Sequence, residues 1–409
     1  MDSDLPLVES AARPQPPAPT GRARFDAVDW LRGFVMVLMA LDHTRDLLSR
    51  SVLGDPDPLN LSQTTTALFL TRWVTHFCAP VFVFLAGTGA FLSGARGASK
   101  LTLARFLLTR GIWLILLEFT LVHLGWFFNF EYTLLIGQVI WAIGGSMIIM
   151  AALVALPLWV LGLLGVALIA GLGTLDGVRA DQLGDWLPLW RAFISPGFVN
   201  LGPSTRVIFA YPILPWLGIM LAGYAFGAVW LWERRRRRLV VMILGLVLTG
   251  LFVALRFANG YGDPRPWERQ ASEVFTVLSF LNCNKYPPSL LYVLMTLGPA
   301  LVLLAAQDRE RGPIGGVFIT FGRVPLFYYL LHVPLIHMVA IVFALVECGE
   351  AGFLFQHPIV GGRQWPANYG YSLPVVYLVT LGVVAALYPL CRWFAGVKAR
   401  RRAWWLGYL

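Results

Sequence analysis

The chain has 409 residues, of which 57% are hydrophobic and only 13% are charged, and its mean hydropathy is +0.68. This composition excludes an ordinary soluble globular domain, in which about 25% of residues are charged. The formal net charge is +10, but the basic residues stand in short blocks between long apolar runs. That pattern fits the positive-inside rule of membrane proteins and disfavours a nucleic-acid partner, which needs a continuous basic face.

The N-terminal residues 1–24 are rich in Pro and Ala, open with acidic residues and lack the basic-then-apolar pattern of a signal peptide. We predict that they form a disordered cytoplasmic tail. The expected organisation is this tail, a membrane domain over 25–397, and a basic cytoplasmic tail over 398–409.

Apolar segments long enough to cross a bilayer as helices, about 20 residues each, recur along the membrane domain. We therefore predict an all-α, polytopic membrane bundle of ten spans. The predicted spans are 28–48, 66–93, 104–128, 132–154, 157–175, 207–232, 239–257, 287–306, 317–346 and 374–396.

Four groups of basic residues flank these spans. They are Arg22, Arg24 and Arg32; Arg96, Lys100 and Arg105; Arg234 to Arg238; and Lys398 with Arg400 to Arg402. With ten spans all four groups fall on one side, which the positive-inside rule assigns to the cytoplasm. Both termini are therefore predicted to be cytoplasmic. The run after the sixth span also suits anionic membrane lipids.

The first span contains Arg32 and His43, eleven residues apart. In a helix eleven residues return to within about 20° of the starting direction, so both side chains share one face, and they rise by roughly 16 Å. Ionisable groups at membrane depth are costly and indicate function by default. The pair therefore predicts two ends of one intramembrane site, with a cation near the inner surface and a titratable base deeper in.

Further polar side chains lie at different predicted depths in the ten spans. Arg32, Arg110 and Arg323 lie toward the cytoplasmic ends of spans one, three and nine, where arginine forks suit phosphate oxygens. Imidazoles in the outer half or near mid-depth suit acid–base or nucleophilic chemistry. The candidate catalytic residues are His43 and His76, and the candidates for a proton relay or acceptor site are Asp42, Glu118 and His332.

Each of these assignments has a plainer alternative. Arg32 and Arg323 would also be explained by snorkelling to lipid head groups. His43 would serve as an interfacial cap, and His76 with Arg72 would pack against Glu118. No metal site is predicted, because Cys78, Cys283, Cys348 and Cys391 have no paired spacing. The cysteine pattern leaves open one disulfide, between Cys283 and Cys348.

Several segments together carry a family resemblance. They are Arg24 to Gly33, Asp42-His43, Phe77 to Gly87, Tyr211 to Gly218, Lys285 to Tyr292 and Gly322 to His332. Over roughly residues 24–395 the chain resembles bacterial membrane proteins related to heparan-α-glucosaminide N-acetyltransferase. The wider transmembrane acyltransferase superfamily has an Arg, ten residues and a His in its first core helix, and Arg32 and His43 match that spacing.

The resemblance implies a multi-pass protein of the bacterial inner membrane that binds acetyl-CoA from the cytoplasm. It implies transfer of the acyl group to an amino or hydroxyl group of an acceptor on the other side, with an envelope glycan as the expected class. His43 would be the catalytic base or the acyl-carrying nucleophile, and Arg32 would contact the CoA phosphates. The sequence departs from the lysosomal enzyme at His76, where an Asp is usual.

The residues are compatible with that mechanism. CoA is anionic, so its phosphates need Arg32, Arg110 or Arg323, and its pantetheine arm would thread a channel lined by spans one, two and nine. Asp42 points about 100° away from His43, so Glu118 or a residue of span two is expected to orient the imidazole. The chief alternative is a transporter or lipid-handling protein without covalent chemistry. A structural subunit would tolerate apolar residues in place of Arg32 and His43.

Overall fold

The computed structural model describes residues 25–50, 57–95, 97–308, 315–356, 365–401 and 403–408. The predicted N-terminal tail, 1–24, lies outside these ranges, as do two residues of the predicted basic tail, 402 and 409. Below, the inner side is the side on which the first helix begins, which the charge pattern assigns to the cytoplasm. The outer side is the opposite one.

The described residues form fifteen α-helices and three short strands. The helices are α1 (Asp26–Leu48), α2 (Thr66–Thr75), α3 (Cys78–Gly94), α4 (Lys100–Leu117), α5 (His123–Phe127), α6 (Val139–Leu153), α7 (Leu158–Gly171), α8 (Leu187–Phe193), α9 (Ile213–Phe226), α10 (Arg234–Ala258), α11 (Glu273–Leu281), α12 (Leu290–Gln307), α13 (Gly315–Arg323), α14 (Pro325–Cys348) and α15 (Leu373–Arg400). The strands are β1 (Leu134–Gly137), β2 (Gly197–Asn200) and β3 (Arg206–Phe209).

Among the described residues, eight helical segments are long and apolar enough to cross a membrane. They coincide with eight of the ten predicted spans, and α1 and α6 occupy the other two. α1 is long enough but carries several charged residues, and α6 has only 15 residues. The prediction of an all-α, multi-pass membrane bundle is confirmed.

Two predicted spans are wrong at their outer ends, where the chain forms strands. β1 pairs in parallel with β3, and β2 pairs antiparallel with β3, so the order is β1-β3-β2. The span predicted over 132–154 therefore shortens to α6, and the one predicted over 207–232 becomes helical only at Ile213. Hydropathy does not distinguish a short buried strand from the end of a helix.

The first and ninth spans meet backbone to backbone. A Cβ atom added to Gly33 of α1 would lie 1.7 Å from the carbonyl oxygen of Phe318, and one added to Gly322 of α13 would lie 1.8 Å from that of Asp29. Small residues permit such close approach of membrane helices. The contact fixes the inner ends of α1 and α13 against each other.

Three spans are interrupted beside predicted site residues. α2 ends before His76, and α3 begins at Cys78. A π-helical turn over Glu118–Val122 separates α4 from α5. Val324 separates α13 from α14, and Pro325 opens α14. Irregular backbone at membrane depth is tolerated where it is buried in protein or lines a cavity, and π-turns are frequent at functional sites.

Outer loops pack onto the end of α1. The backbone N–H of Tyr371 donates to the Leu48 carbonyl at 2.7 Å, and the Tyr369 hydroxyl donates to the Leu47 carbonyl at 2.8 Å. All four cysteines are free, so the disulfide that the sequence left open does not form.

Candidate functional site

All three arginines predicted to hold the cofactor line one cavity near the inner side. This inner cavity has a volume of about 260 Å³ and is bounded by Arg32, Arg110, Arg323, Lys398 and Tyr329 among others. Apolar side chains of α3, α4 and α6 form much of its remaining wall. The structure therefore brings together cations from four separate helices, α1, α4, α13 and α15.

Two aspartates in the first turn of α1 orient the arginines. Arg32 donates to Asp29 Oδ1 at 3.2 Å and to the Gly322 carbonyl at 3.2 Å. Arg323 contacts Asp26 Oδ1 at 3.3 Å and lies 3.9 Å from Asp29 Oδ2. Carboxylates are favourable at a helix N-terminus. Sequence reasoning missed this role of the aspartates, although the i,i+3 spacing of Asp29 and Arg32 was a usable signal.

The C-terminal residues close part of the inner cavity. Arg110 donates to the carbonyl of Gly407, which itself lines the cavity. The hydroxyls of Thr109 and Tyr408 are 2.7 Å apart, and the Tyr408 ring lies 6.0 Å from that of Phe106. Arg110 thus contacts a neutral carbonyl there, so the cavity wall retains positive charge.

His43 and His332 form a hydrogen-bonded pair across α1 and α14. His43 Nδ1 lies 2.8 Å from His332 Nε2, and the two rings stack with centroids 4.9 Å apart. His332 is fully buried, whereas His43 is half-buried and lines a second cavity. These residues are 289 positions apart in the chain, and only the packing of the first span on the ninth brings them together.

The hydrogen bonds of the pair determine its neutral tautomers. His332 Nδ1 lies 2.8 Å from the Tyr329 carbonyl and 3.2 Å from that of Tyr328, and a carbonyl only accepts. Nδ1 of His332 therefore carries the hydrogen, and its Nε2 is an acceptor. His43 must then donate from Nδ1, which leaves the lone pair on His43 Nε2 available as a base or nucleophile.

The second cavity lies on the outer side of the pair. This outer cavity has a volume of about 300 Å³, and its walls contain His43, Asp46, Gln138 and several aromatic rings. The Trp126 ring stands edge-on to His43 with centroids 4.9 Å apart. Lining residues of the inner and outer cavities are neighbours at two places: Tyr329 and His43, whose ring centroids are 6.4 Å apart, and residues 139 and 138, which are adjacent in the chain.

Comparison with known families identifies the family of the chain. Residues 24–256, more than half of the chain, match the family described as heparan-alpha-glucosaminide N-acetyltransferase, catalytic. The chain belongs to this family. The resemblance expected from the sequence motifs is thereby confirmed, and membership supports a membrane acetyltransferase-like function. No curated protein matches the chain.

The matched region of this N-acetyltransferase family member contains Arg32, His43 and Arg110. Arg323 of the inner cavity and His332, the partner of His43, lie beyond residue 256, as do further lining residues of both cavities. The second half of the chain therefore supplies the partner of His43 and one wall of the cation-lined cavity.

Asp42 is the centre of a buried ion network. It accepts from both Arg72, at 2.6 and 2.8 Å, and Arg45, at 2.9 Å, and from the Thr75 hydroxyl at 2.8 Å. These partners connect α1 to α2. Asp42 therefore secures the helices beside His43 and does not hydrogen-bond to the imidazole, as its angular position on α1 predicted.

The expectation that Glu118 or a residue of span two orients His43 is wrong, because His332 occupies that position. The Glu118 carboxylate instead accepts from the backbone N–H groups of Gln138 at 3.2 Å and Trp141 at 2.9 Å. It thus caps the N-terminus of α6, whose first N–H groups have no partner within the helix. The cap holds the start of α6 where the two cavities meet.

His76 is fully buried in the break between α2 and α3 and lines neither cavity. Neither ring nitrogen has a hydrogen-bond partner among the described residues. Its ring lies 5.4 Å from that of Tyr292, whose hydroxyl donates to the His76 carbonyl at 2.8 Å. The structure does not bring His76 to His43, and a catalytic role for it stays a prediction.

Proposed function

We propose that the protein transfers an acetyl group from cytoplasmic acetyl-CoA to an amino or hydroxyl group of a glycan-type acceptor on the outer side of a bacterial plasma membrane. The observation that carries the proposal is the His43–His332 pair, placed where a cation-lined inner cavity meets a separate outer cavity. Family membership supports the transferase chemistry.

The inner cavity suits the donor. The phosphates of CoA would meet Arg32, Arg110 and Arg323, since guanidinium forks match phosphate oxygens. The thin pantetheine arm would extend along the apolar wall toward Tyr329. Arg32 and His43 are separated by roughly 16 Å along one helix face. The pantetheine arm would extend over this distance, so that the thioester reaches the imidazole.

His43 Nε2 can take part in acetyl transfer by two chemical routes. In direct transfer, the acceptor nitrogen or oxygen attacks the thioester carbonyl, Nε2 takes its proton, the C–S bond breaks, and the imidazolium protonates the CoA thiolate. In the two-step route, Nε2 attacks the carbonyl, the C–S bond breaks, and the thiolate leaves and takes a proton from water. The acceptor then attacks the acetyl carbon, the C–Nε2 bond breaks, and the acceptor's proton neutralises the hydroxide left by the first step. In both, the charged His43 ring donates from Nδ1 to His332, and such charge-assisted bonds are stronger than neutral ones.

The outer cavity suits the acceptor. Aromatic rings with a few placed polar groups are typical of small-molecule sites. Trp126, Trp365 and Tyr286 provide the rings, and Asp46 and Gln138 provide the polar groups. The acceptor atom would approach His43 from this side while the donor thioester arrives from the other.

The test is binding of acetyl-CoA and release of CoA by the full-length protein in nanodiscs. Arg32→Ala should weaken acetyl-CoA binding by about tenfold or more, because a hydrogen bond to a charged group contributes about 1.5–3 kcal/mol. His43→Ala should retain binding and lose CoA release. Arg105→Ala is the matched control, since Arg105 is an exposed arginine near the inner end of α4 and does not line the cavity.

Failure of the folded wild type to bind acetyl-CoA at millimolar concentration would overturn the donor assignment. Movement of acetyl-CoA or another solute across a vesicle membrane without CoA release would favour the transporter interpretation instead.

A further inference from the structure

Tyr329 carries a buried hydroxyl that neither the fold nor the chemistry proposed above uses. The residue lies on α14 and is only 3% exposed. Among the described residues, its hydroxyl has no hydrogen-bond partner. Most buried polar groups in folded proteins are hydrogen-bonded, because leaving one unpaired is costly. The hydroxyl is therefore suited to a bond that the folded chain does not itself supply.

Tyr329 stands between the inner cavity and the histidine pair. It lines the inner cavity together with Met39, which lies about one helical turn before His43 on α1. Its ring is edge-on to that of His43, with centroids 6.4 Å apart, and lies 5.4 Å from that of His332. Its backbone carbonyl accepts from His332 Nδ1 at 2.8 Å. The residue thus fixes the tautomer of the pair and also forms the wall of the donor cavity beside it.

Other hydrogen-bond donors near this junction already have partners or roles. The arginines of the inner cavity are assigned to the phosphates, at the far end of the pantetheine arm from the thioester. The start of α6 also lies at the junction, but Gln138 and Trp141 donate their backbone N–H groups to Glu118. The Tyr329 hydroxyl is unbonded, and it belongs to a residue on the donor side of His43.

We propose that the Tyr329 hydroxyl donates a hydrogen bond to the carbonyl oxygen of the acetyl thioester and stabilises the oxyanion that forms there. When the acceptor or His43 Nε2 attacks the carbonyl carbon, the electron pair of the C=O π bond moves to the oxygen. The hydroxyl keeps its proton, and its hydrogen bond strengthens as this charge develops. The C=O bond then re-forms, the C–S bond breaks, and the hydrogen bond weakens again. The inference rests on the proposed function, because it names a further catalytic residue of that reaction.

The surroundings of Tyr329 favour such a bond. Met39, Leu114 and Val139 are among the apolar side chains that line the cavity with it. A donor that is already fixed in an apolar site stabilises a developing charge more than a donor in water does. Packing against the two histidine rings restricts the tyrosine ring before the substrate arrives.

Tyr329→Phe tests the proposal, because it removes the hydroxyl and keeps the ring. Steady-state CoA release in nanodiscs should show a kcat lowered by about 100- to 1000-fold, the usual effect of losing one oxyanion donor. The affinity for acetyl-CoA should change by less than about threefold, since the bond is stronger in the transition state than in the ground state.

The neighbouring residue Tyr328 provides the matched control. Its hydroxyl is also buried and has no partner among the described residues, and its ring stacks on His332 with centroids 5.2 Å apart. Unlike Tyr329, it lines neither the inner nor the outer cavity. Tyr328→Phe should therefore keep kcat within about threefold of wild type, because it removes no group that meets the substrate.

Two further measurements separate catalysis from a structural role. Because Tyr329→Phe removes a buried hydroxyl without a partner, its thermal midpoint should stay unchanged or rise while kcat falls. The second measurement is infrared spectroscopy of acetyl-CoA, labelled with heavy carbon at the acetyl carbonyl, bound to the His43→Ala protein. Addition of Tyr329→Phe to that variant should raise the carbonyl stretching frequency, since a hydrogen bond to the oxygen weakens the C=O bond.

The inference would be overturned by a kcat for Tyr329→Phe within about threefold of that for Tyr328→Phe, since loss of an oxyanion donor costs far more. A thermal midpoint below that of wild type, or equal carbonyl frequencies in the two His43 variants, would overturn it as well. Failure of the proposed function is distinguishable, because it appears as a wild-type protein that binds no acetyl-CoA and releases no CoA.

Discussion

Replacement of His332 by Phe tests whether the histidine pair works as a unit. The substitution removes the acceptor that lies 2.8 Å from His43 Nδ1 and keeps a ring in the buried position. A hydrogen bond to a charged group contributes about 1.5–3 kcal/mol, and this bond becomes charge-assisted when His43 takes a proton or an acetyl group. Because about 1.36 kcal/mol corresponds to a factor of ten, kcat should fall by about 10- to 150-fold.

The KM for acetyl-CoA should change by less than about twofold, since an interaction made only in the transition state affects kcat alone. The assay is steady-state CoA release by protein in nanodiscs. His332→Gln should recover part of the rate, because its amide oxygen also accepts. His337→Phe is the control: His337 is buried on the same helix, bonds to the Gly125 carbonyl at 3.3 Å and lines neither cavity. A kcat for His332→Phe within about threefold of wild type would refute the reasoning, since the smallest expected loss is about tenfold.

Three further outcomes follow from the structure. Gly33→Ala should lower the thermal midpoint, since its Cβ would lie 1.7 Å from a facing carbonyl oxygen and overpacking costs about 1–3 kcal/mol; Gly250→Ala, with nothing within 4 Å, should leave the midpoint unchanged or raised. Glu118→Ala should destabilise the fold by about 1 kcal/mol through loss of the side chain that caps α6, seen as a lower midpoint of thermal unfolding. Desolvation of the hydroxyl opposes ionisation of Tyr286, although the residue as a whole is 38% exposed, and neighbouring cations, Lys285 foremost, hold its pKa below the ordinary value. Ultraviolet titration should therefore show a tyrosine ionising early, and this phase should vanish in Tyr286→Phe and shift upward in Lys285→Met. A phase that both variants retain would contradict the assignment. Because the folded pKa is the lower one, ionised Tyr286 stabilises the fold fully only above the unfolded value of about 10, and this contribution is lost as the pH falls through the folded pKa.

Much of the architecture can be predicted from the sequence because it depends on local periodicity and composition. Long apolar runs identify membrane helices whatever they pack against, so the spans could be predicted. The shared face of Arg32 and His43 follows from the helical repeat alone. The predicted depth of Arg32, Arg110 and Arg323 follows from their distance to the span ends, and the structure places the three side chains on the wall of one cavity.

Features that depend on contacts between distant segments of the chain could be recognised only in the tertiary structure. Whether an apolar segment pairs as β1 or continues a helix is decided by β3, which lies some seventy residues away. The partner of His43 is His332, 289 positions later in the chain, and Glu118 caps α6 instead. The ion pairs of Asp42 with Arg45 and Arg72 are likewise visible only in the folded chain. The sequence by itself determined which groups lie in the membrane and at what depth, since hydropathy and helix geometry are local. Only the fold decided which of them meet, because hydrogen bonds and ion pairs act over a few ångströms between helices whose packing the local pattern does not specify.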